Sequence, residues 1–331
     1  MNKVILLKNR PVGKPTLDDF KFLEEENPIT QEGQVLLKTL YVSVDPYLRG
    51  RMSSAKSYVP PFELNKPIQS GIIAEVVESK LSDFKVGDCV SAMLDWKELQ
   101  VSDGRGLNKV DGNAASLSAY LGVLGLTGLT AYLGLTEIGK PKSGETVVVS
   151  GAAGAVGSIV GQIAKILGCQ VIGIAGSDEK TSMLTSKFGF DAAINYKTTT
   201  DMKAAIANVA PNGVDIYFDN VGGEISDAVL ANINQFARIA VCGSISGYND
   251  TEVSMGPRVQ GILVKNSVLM QGYIVSNYKS RFPEAIKQLA SWLKDGKLTY
   301  KETIVDGFDN IPQAFIDLFE GKNQGKMIVK V

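Results

Sequence analysis

Residues 145–168, ETVVVSGAAGAVGSIVGQIAKILG, decide the fold of this chain. The β-branched run at 146–149 is typical of a buried parallel strand, and the apolar residues after 158 recur with helical spacing. A glycine turn, GAAGAVG at 151–157, lies between them. A strand, a glycine turn and a helix in this order indicate a dinucleotide site, because the start of the helix offers backbone N–H donors to a pyrophosphate.

Two glycines have separate tasks in this prediction. Gly154 leaves room for the phosphates to approach, and Gly157 lets the helix and the strand pack closely. Ala152 occupies the position of the first glycine in the usual fingerprint, so the match is imperfect. These residues alone leave a tight structural turn without a ligand as the alternative.

Strand-like runs then alternate with helical segments, which predicts a doubly wound parallel sheet in an α/β fold. The predicted strands are VIGIAG at 171–176, AAINY at 192–196, VDIYFDNVGG at 214–223, ARIAVCG at 237–243 and VLMQGYIV at 268–275. The predicted helices lie at 178–188, 224–235 and 281–298, and two further helices are expected to meet within 116–138.

The two ends of the chain have a different character. Short strand-like runs at 3–8, 34–42, 71–79 and 89–94, separated by Gly and Pro turns, predict a small antiparallel or barrel-like domain. Residues 51–67 are rich in Ser, Pro and Lys and predict an exposed loop. The strand-like runs at 299–308 and 325–331, with a helix at 311–321 between them, fall outside the alternating order, so we expect them to return to the first domain.

Composition limits the classes of function. A chain of 331 residues with 44% apolar and 21% charged residues suggests two domains of a soluble globular protein. The net charge of −1 argues against nucleic acid as a partner, and no apolar run is long enough to cross a membrane. The three scattered cysteines, with no secretory signal before the first strand, predict a cytoplasmic protein.

The chain contains no histidine. This excludes Ser-His-Asp and Cys-His catalysis and the zinc sites that depend on histidine. We therefore expect no metal, and we expect hydroxyl groups to act wherever a proton donor is needed.

The end of the second predicted strand indicates which nucleotide binds. NAD-preferring sheets carry Asp or Glu there to bind the ribose 2′-hydroxyl, whereas this strand ends in Gly176-Ser177. Lys180 follows in the first turn of the next helix, where its charge can reach a 2′-phosphate, although a solvated surface lysine is the alternative. Ser177 and Lys180 therefore favour NADPH over NADH. Tyr196 could cover the adenine side or simply be a tyrosine at the sheet edge.

Several motifs in matching order resemble the zinc-free medium-chain dehydrogenase/reductases, within the NADPH-dependent alkenal/enone group that includes prostaglandin and curcumin reductases. The motifs are SVDPYLRG (43–50), LTGLTAY (126–132), SGAAGAVGS (150–158), GSDEK (176–180), FDNVGGE (218–224), CGSISGYN (242–249) and GKNQGKMIVKV (321–331).

The resemblance implies a two-domain architecture. A GroES-like, mainly β catalytic domain would comprise residues 1–120 and 297–331, and a Rossmann domain would comprise residues 121–296. The resemblance also implies an active site in the cleft between these domains and a homodimer.

The resemblance further implies roles for individual residues, while Thr127 and Ser177 are candidates from the sequence itself. Tyr47 and Tyr248 match substrate-side tyrosines and are the catalytic candidates, with packing roles as the alternative. The cofactor-binding candidates are Thr127, Gly154, Ala155, Val156, Gly157, Ser177, Lys180, Tyr196, Asn220, Cys242, Gly243, Ser244, Ile245, Ser246, Tyr248, Tyr273, Ile274, Val275 and Asn323.

These observations predict NADPH-dependent reduction of a carbon–carbon double bond conjugated to a carbonyl group. Hydride would reach the β-carbon, and the enolate would be stabilised and protonated with the help of Tyr248, the cofactor ribose or water. An NADPH quinone reductase and a non-catalytic NADPH-binding sensor or structural protein are the alternatives. The sequence does not choose among enals, enones, dienones and quinones as substrates.

Overall fold

The computed structural model describes all 331 residues, which form two compact units. The first unit comprises Met1–Gly122, Thr303–Asn323 and Met327–Val331, and the second comprises Val123–Glu302 and Gln324–Lys326. Compared with the division expected from the sequence, the second unit also contains residues 297–302 and 324–326. The chain therefore crosses between the units several times near its end.

The chain contains both strands and helices, and none of the helices is long and apolar enough to cross a membrane. The strands are β1 (Asn2–Leu7), β2 (Phe20–Glu25), β3 (Val35–Ser43), β4 (Gln69–Ser79), β5 (Cys89–Asp95), β6 (Leu99–Ser102), β7 (Asn108–Val110), β8 (Thr146–Ser150), β9 (Gln170–Ala175), β10 (Ala192–Asn195), β11 (Val214–Asp219), β12 (Ile233–Val241), β13 (Leu269–Gly272), β14 (Glu302–Asp306) and β15 (Lys326–Lys330). The α-helices are α1 (Leu48–Arg51), α2 (Leu126–Leu133), α3 (Gly157–Ile166), α4 (Asp178–Ser186), α5 (Met202–Val209), α6 (Gly223–Leu230), α7 (Gln260–Asn266), α8 (Phe282–Lys294) and α9 (Ile311–Phe319).

The first unit is built around β3. This strand pairs antiparallel with β4 and β15 in a seven-stranded sheet. Six of the strands follow the order β14-β15-β3-β4-β5-β7, and the seventh, β6, also pairs antiparallel with β3. Val35 and Leu37 are fully buried, because alternate residues of a strand turn to the same face. Val42 is also fully buried, since the register of β3 against β4 shifts between Thr39 and Tyr41. The pairing of β15 with β3 returns the end of the chain to this sheet, and β1 and β2 form a separate antiparallel pair.

Most of residues 53–66 are exposed, as predicted for a loop at 51–67, but the prediction is wrong for Met52 and Phe62. Met52 is fully buried and Phe62 is 4% exposed, and both belong to the core of the first unit. Arg10 fixes their backbone, because its guanidinium donates to the carbonyl oxygens of Met52 at 3.1 Å and Phe62 at 3.0 Å. The abundance of Ser, Pro and Lys concealed these two anchors.

The second unit confirms the predicted doubly wound sheet. Its six strands are parallel in the order β10-β9-β8-β11-β12-β13. All five residues of β8 are buried, as expected for a central strand covered on both faces. The carboxyl ends of the six strands lie at one edge of the sheet, called the carboxyl edge below, and their amino ends lie at the opposite amino edge.

Several element boundaries differ from the prediction. The segment 116–138 contains a 3₁₀ turn at Leu117–Leu121, helix α2 and a π-helical turn at Gly134–Gly139, rather than two plain helices. The helix expected at 224–235 ends at Leu230, because β12 begins at Ile233. Helices α5 and α7 were not predicted from the sequence.

Candidate functional site

The carboxyl edge brings together most of the predicted site residues of the second unit. The glycine turn follows β8, Ser177 and Lys180 follow β9, and Tyr196 follows β10. Asn220 follows β11, residues 242–248 follow β12, and residues 273–275 follow β13. Ligands of open parallel sheets bind at this edge, so the topology alone makes it the candidate site.

The glycine turn has the conformation that the sequence predicted. A Cβ atom on Gly157 would lie 2.4 Å from the Gly151 oxygen and 2.7 Å from the Ala152 Cα, so only glycine fits there. At Gly154 the nearest contact of such an atom would be 3.2 Å, to the Gly151 oxygen. Ala155 and Val156 are half-buried and lead into α3, where the N–H groups of Ser158 and Ile159 donate to the oxygens of Gly154 and Val156, each at 3.1 Å. The positive end of the helix dipole at this start suits an anion.

A segment from the end of the chain fixes the glycine turn from outside. Gly325 forms a parallel bridge with Gly154, and its N–H donates to the Ala153 oxygen at 2.8 Å. Gly325 has φ +66°, and a Cβ atom there would lie 1.9 Å from the Lys301 oxygen. Asn323, the predicted late cofactor contact, is half-buried and stands two residues before this glycine.

A positively charged corner follows β9. The Ser177 hydroxyl accepts the Lys180 N–H at 3.3 Å and thereby caps α4. Burial lowers the pKa of the Lys180 ammonium, and the charge of Lys197 lowers it further, whereas Glu179 acts in the opposite direction. The other nearby acid, Asp178, accepts a hydrogen bond from the Asn195 amide at 2.7 Å. Two neighbouring ammonium groups favour an anion such as a phosphate.

The ring of Tyr196 lies over the end of β9. A Cβ atom on Gly176 would lie 2.9 Å from this ring, so a larger residue at the strand end would displace the tyrosine. Tyr196 is 40% exposed, and its backbone N–H donates to the Ala175 oxygen at 3.1 Å. The exposed aromatic face is available for stacking.

The ends of β11 and β12 form one connected polar turn. The Asn220 amide donates to the Ser150 oxygen at 2.8 Å, which leaves its own side-chain oxygen as a possible acceptor for a ligand. The N–H of Ser246 donates to the Val221 oxygen at 3.1 Å. Loop 242–248 is therefore held beside Asn220. It contains Cys242, Gly243, Ser244, Ile245 and Ser246, which are half-buried or exposed.

Tyr248 closes this loop upon itself. Its hydroxyl oxygen accepts the Ser244 N–H at 3.4 Å, which leaves its own proton free for donation. Burial raises the pKa of this hydroxyl, and the hydrogen bond from Ser244 opposes the rise. The tyrosine therefore stays protonated at neutral pH and is suited to donate.

The segment after β13 uses its first side chain for packing. Tyr273 is 8% exposed, and its hydroxyl donates to the Thr130 oxygen at 2.8 Å. A Cβ atom on Gly134 would lie 2.1 Å from this hydroxyl oxygen. Only glycine at position 134 therefore leaves space for the Tyr273 side chain. Ile274 and Val275 are half-buried. Residues 273–275 can therefore offer a ligand backbone groups, but not the Tyr273 side chain.

Thr127 carries a buried hydroxyl that has no hydrogen-bond partner within the chain. The residue is 7% exposed and lies in the first turn of α2. An unsatisfied buried hydroxyl costs about 1–3 kcal/mol. It is therefore a natural contact for a ligand group, and it supports the sequence candidate.

Tyr47 lies in the first unit, directly before α1. Burial raises the pKa of its hydroxyl, and the charge of Asp45 raises it further. Neighbouring polar residues of the same motif have structural partners: Ser43 donates to the Asp45 carboxylate, and Arg49 donates to the carbonyl oxygens of Pro11 and Gly13. The motif thus holds Tyr47 in a fixed setting.

The sequence analysis missed Asp219, which links several of the loops at the carboxyl edge. An acid at the end of the apolar strand VDIYFD was the available signal, because buried carboxylates are uncommon unless they are partnered. Lys197, which reinforces the positively charged corner, was also missed.

These features fit a dinucleotide. The start of α3 offers the positive end of a helix dipole, the corner at Lys180 offers positive charge, and Thr127 offers a hydroxyl without a hydrogen-bond partner. No group of three or more His, Cys, Asp or Glu side chains is placed to hold a metal ion. The fold and the site together define a two-unit oxidoreductase of the nucleotide-dependent class.

Comparison with known proteins identifies the family. A model described as the N-terminal domain of oxidoreductases matches residues 3–110, and one described as zinc-binding dehydrogenase matches residues 155–291. YfmJ of Bacillus subtilis (strain 168), named as a candidate NADP-dependent oxidoreductase, is 59% identical over 99% of this chain and 97% of its own. The NADPH-dependent curcumin reductase of Escherichia coli (strain K12) is 42% identical over 100% of this chain and 97% of its own length. The NADP(+)-dependent 2-alkenal reductase of Nicotiana tabacum is 43% identical over 100% of this chain and 97% of its own length.

A solved structure leads to the same assignment. CurA from Vibrio vulnificus, crystallised in complex with NADPH, superposes with a TM-score of 0.95 at 44% identity and covers 99% of each chain. The chain belongs to the zinc-free medium-chain dehydrogenase/reductases, in the group that contains these alkenal and curcumin reductases.

Proposed function

We propose that this chain uses NADPH to reduce the carbon–carbon double bond of α,β-unsaturated aldehydes and ketones. The observation that carries the proposal is the Tyr248 hydroxyl, a protonated donor held in loop 242–248 at the carboxyl edge. When bound, NADPH supplies a hydride for the β-carbon of the substrate. The reduction also needs a donor where negative charge develops, and the chain contains no histidine for this task.

Tyr248 fills the role of that donor. As the enolate forms, negative charge appears on the carbonyl oxygen, and a neutral hydroxyl stabilises it without being a strong acid. Because the Ser244 N–H already occupies one acceptor position of the tyrosine oxygen, the phenolic proton is directed elsewhere. Tyr248 or water then protonates the α-carbon. Tyr47 is assigned to the substrate side in the first unit.

The cofactor assignment follows the carboxyl edge. Residues 154–157 bind the pyrophosphate, and the corner of Ser177, Lys180 and Tyr196 binds the adenosine with its 2′-phosphate. The nicotinamide half is assigned to Thr127, Asn220, Cys242, Gly243, Ser244, Ile245, Ser246, Tyr248, Tyr273, Ile274 and Val275, and Asn323 is a late contact. The two lysines of the corner favour NADPH over NADH.

Oxidation of NADPH across a panel of substrates tests the reaction. The panel contains 2-alkenals, enones, dienones and quinones, and each is measured with NADPH and again with NADH. We expect the highest kcat/KM on conjugated enals or enones with NADPH. Faster turnover of quinones would favour a quinone reductase, and no turnover of any compound would favour a binding protein.

Replacing Tyr248 tests its role. Tyr248→Phe should lower kcat on enones about 100-fold and change the Kd of NADPH less than about threefold, because only the reacting oxygen loses its donor. Tyr132→Phe is the matched control, since that tyrosine packs on Trp292 with ring centroids 5.9 Å apart. Unchanged turnover in Tyr248→Phe would remove the tyrosine from the mechanism.

We also propose that the chain forms a homodimer through β13. This strand ends the six-stranded sheet, and unpaired edges invite pairing with another strand. Leu269 on the strand is 48% exposed and Val264 on neighbouring α7 is 81% exposed. Light scattering after size exclusion should give a dimer for the natural chain and a monomer for Leu269→Lys. A monomeric natural chain would contradict the proposal.

We further propose a cytoplasmic location. Cys89, Cys169 and Cys242 are all free thiols, as expected in a reducing compartment. Cell fractionation followed by immunoblotting should find the protein in the cytoplasmic fraction, and recovery from the periplasm or medium would contradict this location.

A further inference from the structure

Asp219 is a buried carboxylate at the end of β11, with 3% of its surface exposed. All of its side-chain partners are placed to donate, and two of them, the backbone N–H groups, can only donate. Oδ1 accepts from Ser150 Oγ at 3.0 Å, Tyr217 Oη at 2.8 Å, Val221 N at 2.9 Å and Gly222 N at 2.9 Å, and Oδ2 accepts from Ser226 Oγ.

The same residue joins three strand ends. Its backbone oxygen accepts the N–H groups of Cys242 at 2.8 Å and Gly243 at 3.1 Å, at the end of β12. Ser150, which donates to the carboxylate, ends β8 and accepts the Asn220 N–H at 2.9 Å. Asp219 therefore sits behind Asn220 and loop 242–248, the parts that the proposed function assigns to the nicotinamide.

None of these partners carries a positive charge. A buried carboxylate held only by neutral donors keeps much of its field, whereas an ion pair cancels it. The charge acts on loop 242–248, whose first residue, Cys242, donates its N–H to the Asp219 backbone oxygen. Burial raises the pKa of the Cys242 thiol to about 11, a hydrogen bond with Tyr273 lowers it, and the Asp219 charge raises it. The loop thus experiences a fixed negative potential from beneath.

We propose that Asp219 is a positioning residue whose negative charge makes the nicotinamide site favour the oxidised cofactor over the reduced one. The inference rests on the proposed function for the location of the ring. The nicotinamide of NADP⁺ is cationic and that of NADPH is neutral, so a nearby fixed anion stabilises the first selectively. The same charge favours hydride departure, because positive charge grows on the ring as the hydride leaves.

Direct binding measurements on Asp219→Asn test this proposal. Asparagine has nearly the same shape, keeps Oδ1 as an acceptor, and can place its amide against Ser226 Oγ, so mainly the charge is lost. The Kd of NADPH is measured by fluorescence and that of NADP⁺ by calorimetry. We expect NADP⁺ binding to weaken about fivefold and NADPH binding to change less than about twofold.

Asp215→Asn is the matched control. Asp215 lies at the opposite end of the same strand and accepts from Thr146 N and the Asn234 amide, each at 2.8 Å. Both dissociation constants should stay unchanged in this variant, although its stability falls. If Asp215→Asn changed the ratio of the two dissociation constants as much as Asp219→Asn does, loss of any carboxylate on this strand would have the same effect. That result would overturn the proposal.

The remaining outcomes are distinguishable. An unchanged ratio of the two constants in Asp219→Asn, including equal weakening of both cofactors, would overturn the role of the charge. Failure of the natural chain to bind either cofactor would instead overturn the proposed function. If thermal unfolding shows that Asp219→Asn does not fold, Asp219→Glu replaces it, because glutamate keeps the negative charge. Weaker binding of both cofactors, with the ratio of the two dissociation constants equal to that of the natural chain, supports the role of the charge. A changed ratio contradicts it.

Discussion

The two edges of the parallel sheet handle buried charge in opposite ways. At the amino edge, Arg238 contacts both oxygens of Glu145, at 2.9 and 2.5 Å, and also donates to the Gly139 oxygen at 2.8 Å. At the carboxyl edge, the Asp219 carboxylate has only neutral donors, and Lys180 has Lys197 as a neighbour. Arg238 and Glu145 therefore neutralise each other at the amino edge, whereas the Asp219 carboxylate at the carboxyl edge is held by neutral donors alone.

This difference separates stability from binding. The amino edge satisfies its own charges and hydrogen bonds, so its residues should matter for folding. The carboxyl edge has the positive end of the α3 dipole and the corner of Lys180 and Lys197, so its residues should matter for the ligand. Substitutions at the two edges can therefore break or sharpen the comparison.

The largest effect is expected at Gly157, which should matter both for stability and for cofactor binding. Gly157→Ala places a Cβ atom 2.4 Å from the Gly151 oxygen, and the backbone on both sides cannot yield cheaply. We expect a loss of about 3 kcal/mol in the free energy of unfolding and at least about tenfold weaker NADPH binding. Urea unfolding and cofactor fluorescence measure the two quantities.

Gly154→Ala is the matched variant of that experiment. Its added Cβ meets the Gly151 oxygen at 3.2 Å, so stability should fall by less than about 1 kcal/mol. NADPH binding should still weaken, because the methyl group occupies space that the pyrophosphate approaches. Equal stability losses in the two variants would contradict the division of tasks between these glycines.

The next effect tests the amino edge. Arg238→Met keeps the aliphatic stem but removes the charged partner of Glu145 and the donor to the Gly139 oxygen. Because the pair is partly buried, we expect a loss of about 2 kcal/mol in the free energy of unfolding, with the Kd of NADPH unchanged. Arg281→Met is the control: that arginine pairs with Glu137 and Glu284 on the surface and should have little effect. A changed Kd in Arg238→Met would break the comparison.

The carboxyl edge should behave in the reverse manner. Lys180→Ala is expected to weaken NADPH binding about tenfold, to leave NADH binding unchanged and to alter stability little. Lys187→Ala, at the other end of the same helix, is the control. Fluorescence titration with both cofactors measures the outcome. Equal weakening of NADPH and NADH would place Lys180 away from the 2′-phosphate.

Local patterns allowed much of this edge to be predicted. The strand, the glycine turn and α3 are contiguous in the chain, and Ser177 and Lys180 lie within one helical turn of a strand end. Such features depend on short-range geometry, which the order of residues specifies. The parallel sheet followed from the alternation of strands and helices for the same reason.

Long-range convergence could not be predicted in this way. The link between Ser150 and Asp219 joins residues 69 positions apart, and the sequence does not state which strands become neighbours. Burial of Met52 and Phe62 likewise depends on the partner Arg10, distant in the chain.

The smallest expected effect is a pH dependence at the amino edge. Burial opposes ionisation of Glu145, but Arg238 and the Lys142 N–H outweigh it, so the pKa of this carboxyl lies below its ordinary value of 4.5. A carboxyl with a lowered pKa stabilises the fold above its unfolded-state pKa, and this contribution is lost as the pH falls through the folded-state pKa.

Glu145→Gln removes this dependence, because glutamine is neutral at every pH. The natural chain should exceed the variant in unfolding free energy by more at pH 7 than at pH ~3, and the gap should narrow by about 0.5–1 kcal/mol because the carboxylate is partly solvated. Urea unfolding at the two pH values measures the gap, with exposed Glu32→Gln as the control. If the difference in unfolding free energy between the two chains stayed constant with pH, Arg238 would contribute through packing rather than charge. Charge would then have a role at the carboxyl edge only, and the comparison between the two edges would fail.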